Sequence, residues 1–142
     1  MNKQARKGAD KSEMGNGIFK FCVSTIIDKK EITRFLDQGA GRFTENKAWK
    51  MAKTLFLESQ QIGTRMPLIL SDAAHDSEKL LCWATLRKIE LDGDKTMVEF
   101  DAVKKIQGKR GRTDLTLRST GRPIAPMFIK PYAICVTPDF LE

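Results

Sequence analysis

The most regular hydrophobic patterning in the chain runs from Met66 to Lys105, and it predicts two long strands joined by one tight turn. The first half carries the apolar run Pro67–Leu70, a polar loop, and then Leu80–Leu91. In the second half Met97, Val98, Phe100, Ala102 and Val103 stand among Glu99, Asp101 and Lys104. Between the halves lies Asp92-Gly93-Asp94, and an Asp-Gly pair between alternating runs signals a β-hairpin. Glycine there accepts the positive φ of a type I′ turn. The last apolar run, Tyr132–Thr137, is expected to pair with this hairpin and to close a small sheet or barrel.

Upstream, Phe19, Phe21 and Val23 share one face of a first strand expected over Ile18–Ile27. Asp28 and Glu31 have capping-box spacing, with Asp in place of Ser or Thr. Ile32, Phe35 and Leu36 give the helix that follows an apolar stripe, and Gly39 stops it. Gly39–Arg42 reads as a flexible connector. Thr44 can cap a second, longer helix, with Glu45 placed to suit the macrodipole. Its stripe is Ala48, Met51, Ala52, Leu55, Ser59 and Ile62, and Gly63 ends it. Lys47, Lys50 and Lys53 lie three apart on a solvated side. Downstream, 115–117 reads as a short strand, and the two prolines of Ser119–Pro126 argue against helix there. Helices early and strands late predict an α+β domain rather than a parallel βαβ sheet.

The chain has 142 residues, enough for one domain with its own core. Residues 1–16 read as a disordered basic tail, having no aromatics and little apolar content. Residues 17–142 form the domain. No run of eighteen apolar residues exists, so no membrane span is expected. The N-terminus lacks the apolar stretch of a secretory signal. Cys22, Cys82 and Cys135 are odd in number and each sits in an apolar run, which predicts buried thiols in a reducing cytoplasm.

Charge becomes informative once it is located. Residues 17–103 carry thirteen basic and thirteen acidic side chains, which cancel. Residues 104–122 carry seven basic ones, Lys104, Lys105, Lys109, Arg110, Arg112, Arg118 and Arg122, against Asp114 alone. A focused positive stretch on a balanced domain favours a polyanionic partner.

No catalytic pattern stands out. The one histidine, His75, shares a loop with Ser71, Asp72, Asp76 and Ser77, and neighbours in one loop rarely reach a triad's geometry. Isolated cysteines and one histidine cannot complete a zinc set. A carboxylate metal site could draw on Asp72, Glu99 and Asp101, the last two on one strand face. The Glu-x-Lys spacing common in such nucleases is missing. Gly108-Lys-Arg-Gly111 lacks phosphate-loop spacing. No catalytic residue, metal or cofactor is therefore expected. Aromatic surfaces come from Trp49, Trp83, Phe100, Phe128 and Tyr132, with Phe100 assigned to the core. Stacking on aromatics beside a basic groove is how single strands and extruded bases are held.

The order of elements carries a resemblance. An early strand is followed by a helical region with Trp49, then Met66-Pro-Leu-Ile-Leu, a polar loop, and a long strand with Trp83-Ala-Thr-Leu and Ile89. A paired strand Val98–Ile106 follows, and then Arg122-Pro-Ile leading to Pro131-Tyr-Ala-Ile-Cys. Over residues 17–138 this resembles the PUA-like group of small pseudo-barrels, and within it the EVE and ASCH families. The GxKxxExR motif of ASCH domains is absent, so no catalytic residue carries over from that family. The EVE resemblance implies a mixed β pseudo-barrel with two helices packed against it, and a pocket that receives a nucleobase, often a modified one. The expected function is binding of RNA or DNA. A base would stack near Trp83 and Trp49, with phosphates on Lys104, Lys105, Lys109, Arg110, Arg112, Arg118, Arg122 and Lys130. The alternatives are a small metal-dependent nucleic-acid-processing enzyme using Asp72, Glu99 or Asp101, and a phage- or restriction-associated protein-interaction module. The sequence leaves the oligomeric state open.

Overall fold

The computed structural model describes residues 17–72, 79–125 and 132–141. The readings that fell on the 1–16 tail, on His75 and on Phe128 and Lys130 lie outside the described residues. In chain order the elements are β1 (Phe21–Ile27), α1 (Lys29–Gln38), β2 (Ala40–Glu45), α2 (Lys50–Gln61), β3 (Pro67–Asp72), β4 (Leu80–Asp92) and β5 (Lys95–Lys105). A 3-10 turn (Arg112–Asp114), β6 (Thr116–Leu117) and β7 (Tyr132–Val136) complete them. The fold is α+β, two helices on a seven-stranded mixed sheet.

The hairpin forms as its alternation predicts, with β4 antiparallel to β5 and Asp92 opposite Lys95. Its two-residue loop is Gly93-Asp94, not Asp92-Gly93. Gly93 has φ +60, while Ala102 is the one non-glycine with positive φ among the described residues. Positive φ at the first loop position alone is the type II′ pattern, so the expected type I′ turn is corrected. The first helix also follows its signals. The Asp28 side chain accepts from the Lys30 N–H at 2.8 Å, and Gly39 closes the helix in the left-handed region at φ +72.

Between the helices the pattern misleads. Residues 40–45 form no connector or helix start; they make strand β2, paired to β5 from Ala40 opposite Asp101 to Glu45 opposite Thr96. The pairing is possible because Gly41 has no side chain: a Cβ there would sit 2.3 Å from the Phe35 ring and 2.9 Å from Phe100. Helix α2 then starts at Lys50, not after Thr44. Its buried side is Ala52, Leu55, Phe56 and Ser59, which leaves Met51 46 % exposed.

The strand order is β2-β5-β4-β3-β1-β7-β6, with β1–β3 the one parallel pair among the named strands. The last strand therefore does not join the hairpin. It pairs with β1, Cys22 facing Cys135, and takes up an edge that β1 would otherwise leave bare. The ladder is open, with β2 and β6 as its ends.

Strand alternation makes two cores. One face carries Val23, Leu68, Leu70, Ala84, Val98 and Phe100 and is covered by both helices. The other carries Cys22, Ile69, Trp83 and Cys135 and is covered by Ile106, Leu115, Ile124 and Leu141.

Side chains join what hydrogen bonds leave apart. In a flat sheet, five ladder spacings of about 4.8 Å would set β2 and β7 about 24 Å apart. Yet Phe43 of β2 lies 5.9 Å from Trp49, and Trp49 stacks on Tyr132 of β7 at 4.6 Å with 18° between the rings. The sheet must curl strongly to allow this. The sheet stays open, and an indole rather than a backbone ladder bridges the two parts. Trp49 is 1 % exposed, and its backbone N–H donates to Thr96 Oγ1 at 2.9 Å. Among the described residues no helix is long and apolar enough to cross a membrane.

Trp49→Ala removes this bridge and is expected to lower stability by about 3–5 kcal/mol. Trp49→Phe should cost less, and denaturant unfolding of the two variants checks both.

All three cysteines are free and buried. Burial pushes the Cys82 and Cys135 thiols up to about 12, and burial and the neighbouring Cys135 hold Cys22 well above its ordinary value. The folded state holds these protons more tightly than the unfolded chain, whose thiols titrate near 9.0. The stability that these thiols contribute is therefore fully present below about pH 9 and is lost as pH climbs toward 12. A native-state thiol assay at pH 8 should show slow modification of all three; rapid labelling of Cys82 or Cys135 contradicts the burial.

Candidate nucleic-acid interface

The cations of the 104–122 stretch reach the surface because apolar residues on either side of them are pinned to the sheet. Ile106, Leu115 and Ile124 are buried, and Lys104, Lys105, Lys109, Arg110, Arg118 and Arg122 are exposed between and beside them. Arg112 is the exception at 2 % exposure. The 3-10 turn it begins is tied by the Asp114 carboxylate, which accepts from the Gly111 N–H at 2.9 Å. A bridge from Lys79 to Gly111 fastens the same turn to the sheet. Arg112 is thereby carried inward, close enough to Cys135 that its charge opposes the effect of burial on that thiol. Its expected role as a surface phosphate contact is corrected.

Neither tryptophan offers a free stacking face. Trp83 is 2 % exposed and packs in the second core, where strand parity puts it opposite Ile69 and the 106–124 stretch covers it. The Lys104 ammonium sits 5.6 Å from its ring centre. Trp49 is occupied by Tyr132. A base stacked on either ring, as the sequence suggested, has no room in this arrangement.

The exposed cations do not converge on one point. Arg110 lies 4.5 Å from the centre of Phe140 and lines a recess with Asp114 and Thr116. Arg118 and Lys20 both approach the Phe21 ring, at 4.9 and 5.3 Å. Arg122 stands on the same reversal as Arg118. The Gly121 N–H donates to Leu117 O, and the Leu117 N–H to Arg122 O, both at 2.9 Å. Gly121 at φ +70 permits that reversal.

Beside this turn lies a pocket of about 310 Å³, lined by Met51, Leu117, Arg118, Ser119, Tyr132 and Ile134 among others. Curling of the sheet creates it, since Met51 comes from the start of α2 and Tyr132 from β7. The Trp49 stack fixes the Tyr132 ring. Burial pushes the Tyr132 hydroxyl above its ordinary value, so at neutral pH it keeps its proton and can donate a hydrogen bond. Tyr132, Met51, Ser119 and Arg118 thus line one small recess. Such a set suits a flat heterocycle carried on an anionic backbone. Tyr132 had been read as an aromatic surface but not as a site residue, and Met51 had been assigned to the core. The signal that could have found them is the shared face of Tyr132 and Ile134 in β7, next to the turn that carries Arg118.

The carboxylates behave differently. Glu99 and Asp101 line a separate cleft, while Asp72 is buried at the end of β3, its N–H donating to Lys79 O at 3.0 Å. Among the described residues no group of three or more His, Cys, Asp or Glu side chains could hold a metal ion.

Comparison of the chain with protein-family models, curated proteins and solved structures finds no match.

Arg112→Ala is expected to lower stability by about 1–3 kcal/mol, as loss of a buried polar group does, whereas Lys105→Ala should stay within about 0.5 kcal/mol. Denaturant melts of the two variants separate the inward cation from the outward one.

Proposed function

We propose that the chain is a PUA-like domain of the cytoplasm that binds single-stranded nucleic acid without consuming it. The pocket beside Tyr132 takes a base, and the exposed cations of 104–122 take the flanking phosphates. One observation carries this reading: the recess with Tyr132, Ser119 and Arg118 on its walls adjoins a turn from which Arg118 and Arg122 project, on the stretch that holds the chain's excess charge. Charge alone would give a polyanion binder with no preference. A pocket with a fixed ring and a proton-donating hydroxyl adds a means of distinguishing one base from another. The expected base position thus moves from Trp83 to Tyr132, and the expected phosphate contacts lose Arg112.

Affinity for single-stranded RNA or DNA should fall linearly on a log–log plot against salt. Changing Arg110, Arg118 and Arg122 together to Ala should flatten the slope by about one unit for each lost contact. Ser119→Phe, on an exposed turn, fills the pocket from its rim. It should remove stacking of about 1–3 kcal/mol while leaving the slope intact. An unchanged affinity in Ser119→Phe rules out the pocket, and an unchanged slope in the triple variant rules out the basic face.

A further inference from the structure

At the far corner of the sheet, where α1 ends and β2 begins, lies a larger cleft of about 610 Å³. Its chemistry differs from that of the interface above. Three arginines, Arg34, Arg42 and Arg87, line it together with two acidic residues, Glu99 and Asp101. The backbone is irregular on both strands that form its floor. Pairing of β4 with β5 steps from Leu86–Phe100 to Lys88–Glu99, which makes Arg87 an extra residue in a bulge. A second shift, from Trp83–Lys104 to Thr85–Asp101, coincides with Ala102 at φ +54. Bulges re-aim side chains, and a non-glycine residue in the left-handed region marks a place where the surrounding fold imposes strain.

The ion pairs show which groups are engaged. Arg87 Nε donates to Asp101 Oδ1 at 2.6 Å, and Arg34 is paired with Glu31 one turn back. Arg42 and Glu99 sit directly opposite each other across β2 and β5, yet no ion pair joins them or ties either to another described residue. Arg42 and Glu99 therefore keep their hydrogen-bonding capacity for a ligand. Gly41, Phe35 and Phe100 also line the cleft, and the two rings meet edge to face at 5.0 Å.

We propose that this corner is a second binding site, for a nucleoside monophosphate whose base carries an exocyclic amino group. A guanidinium fork matches phosphate oxygens bidentately, which assigns the phosphate to Arg42. A carboxylate accepts from an amino group and has no proton to offer a carbonyl, which assigns the amino edge of the base to Glu99. Nearly balanced charge argues against a long polyanion in this cleft. Its volume lies in the range of small-molecule sites.

The site is independent of the proposed interface, since no residue is shared, and the experiment keeps them apart. The full chain is titrated by calorimetry with CMP, UMP and inorganic phosphate, because CMP and UMP differ in the amino or carbonyl group that would meet Glu99. CMP should bind about tenfold more tightly than UMP, and phosphate more weakly than CMP. Arg42→Ala should weaken CMP binding about tenfold or more, the loss of a charge-assisted contact, and leave oligonucleotide affinity unchanged. Glu99→Gln, whose amide can both donate and accept, should erase the CMP/UMP difference while phosphate binding persists. Melting curves of both variants should match the parent, since these side chains support no other group. Equal affinities for CMP and UMP, an undiminished difference in Glu99→Gln, or CMP binding untouched by Arg42→Ala each overturns the proposal. So does the absence of CMP binding at millimolar concentration.

Discussion

Trp49 stands between two parts of the sheet that backbone pairing leaves apart, with Phe43 of β2 on one side and Tyr132 of β7 on the other. Its position is fixed twice. The side chain of buried Thr96 accepts from the Trp49 N–H and donates to Lys47 O at 2.6 Å, which locks the chain just before α2 to β5. Lys53 then reaches Ile89 O at 2.6 Å and ties the first turn of α2 to β4. With the indole held, the open ladder is drawn into a curl. The pocket beside Tyr132 and the packing of both helices on the inner face follow from that curl. A large buried aromatic can carry this constraint because it contributes area and a preferred stacking geometry together.

The outer face has a different cover. The 106–124 stretch has little regular structure, yet Ile106, Leu115 and Ile124 bury themselves on the sheet and Leu141 joins them. The cationic residues fill the intervals between these pins. A stretch that reads as a loose basic loop is thus also half of a hydrophobic core. This explains why one of its arginines, Arg112, points inward. It also limits what charge scanning can show, since a change in this stretch alters the cover as well as the surface unless the residue is exposed.

Much of this was legible in the sequence because local rules and tertiary packing agreed there. The Asp28 cap, the Gly39 and Gly63 stops, the 80–105 hairpin and the cysteine burial all follow from positions whose local preference matches the fold. Strand β2 was not legible. Ala40-Gly41-Arg42 has weak strand propensity, and its conformation is set by pairing with β5 and by the Phe35 ring that occupies the space at Gly41. The partner of β7 was equally hidden, since alternation tells which face a residue takes but not which strand lies beside it. The pocket beside Tyr132 was missed for the same reason. Its walls come from α2, β6 and β7, and only the curl brings them together. Trp83 had the right residue type and a strand position next to a loop, but strand parity turned it toward the covered face.

The inner core links the two recesses. Phe35 meets Phe100 at 5.0 Å, Phe100 meets Phe43 at 5.9 Å, Phe43 meets Trp49 at 5.9 Å, and Trp49 meets Tyr132 at 4.6 Å. This chain of rings begins under the Arg42–Glu99 cleft and ends in the wall of the Tyr132 pocket. Contiguity of this kind is not coupling, which requires an element with two arrangements that both sites bias. The rings are close-packed and largely buried, so what they share is dependence on one core. A substitution within the chain, such as Trp49→Ala, should impair both recesses together by loosening the curl. Substitutions at the rims, Ser119 on one side and Arg42 on the other, act on one recess each. That separation makes the rim residues, rather than the more prominent tryptophans, the informative positions for assigning function.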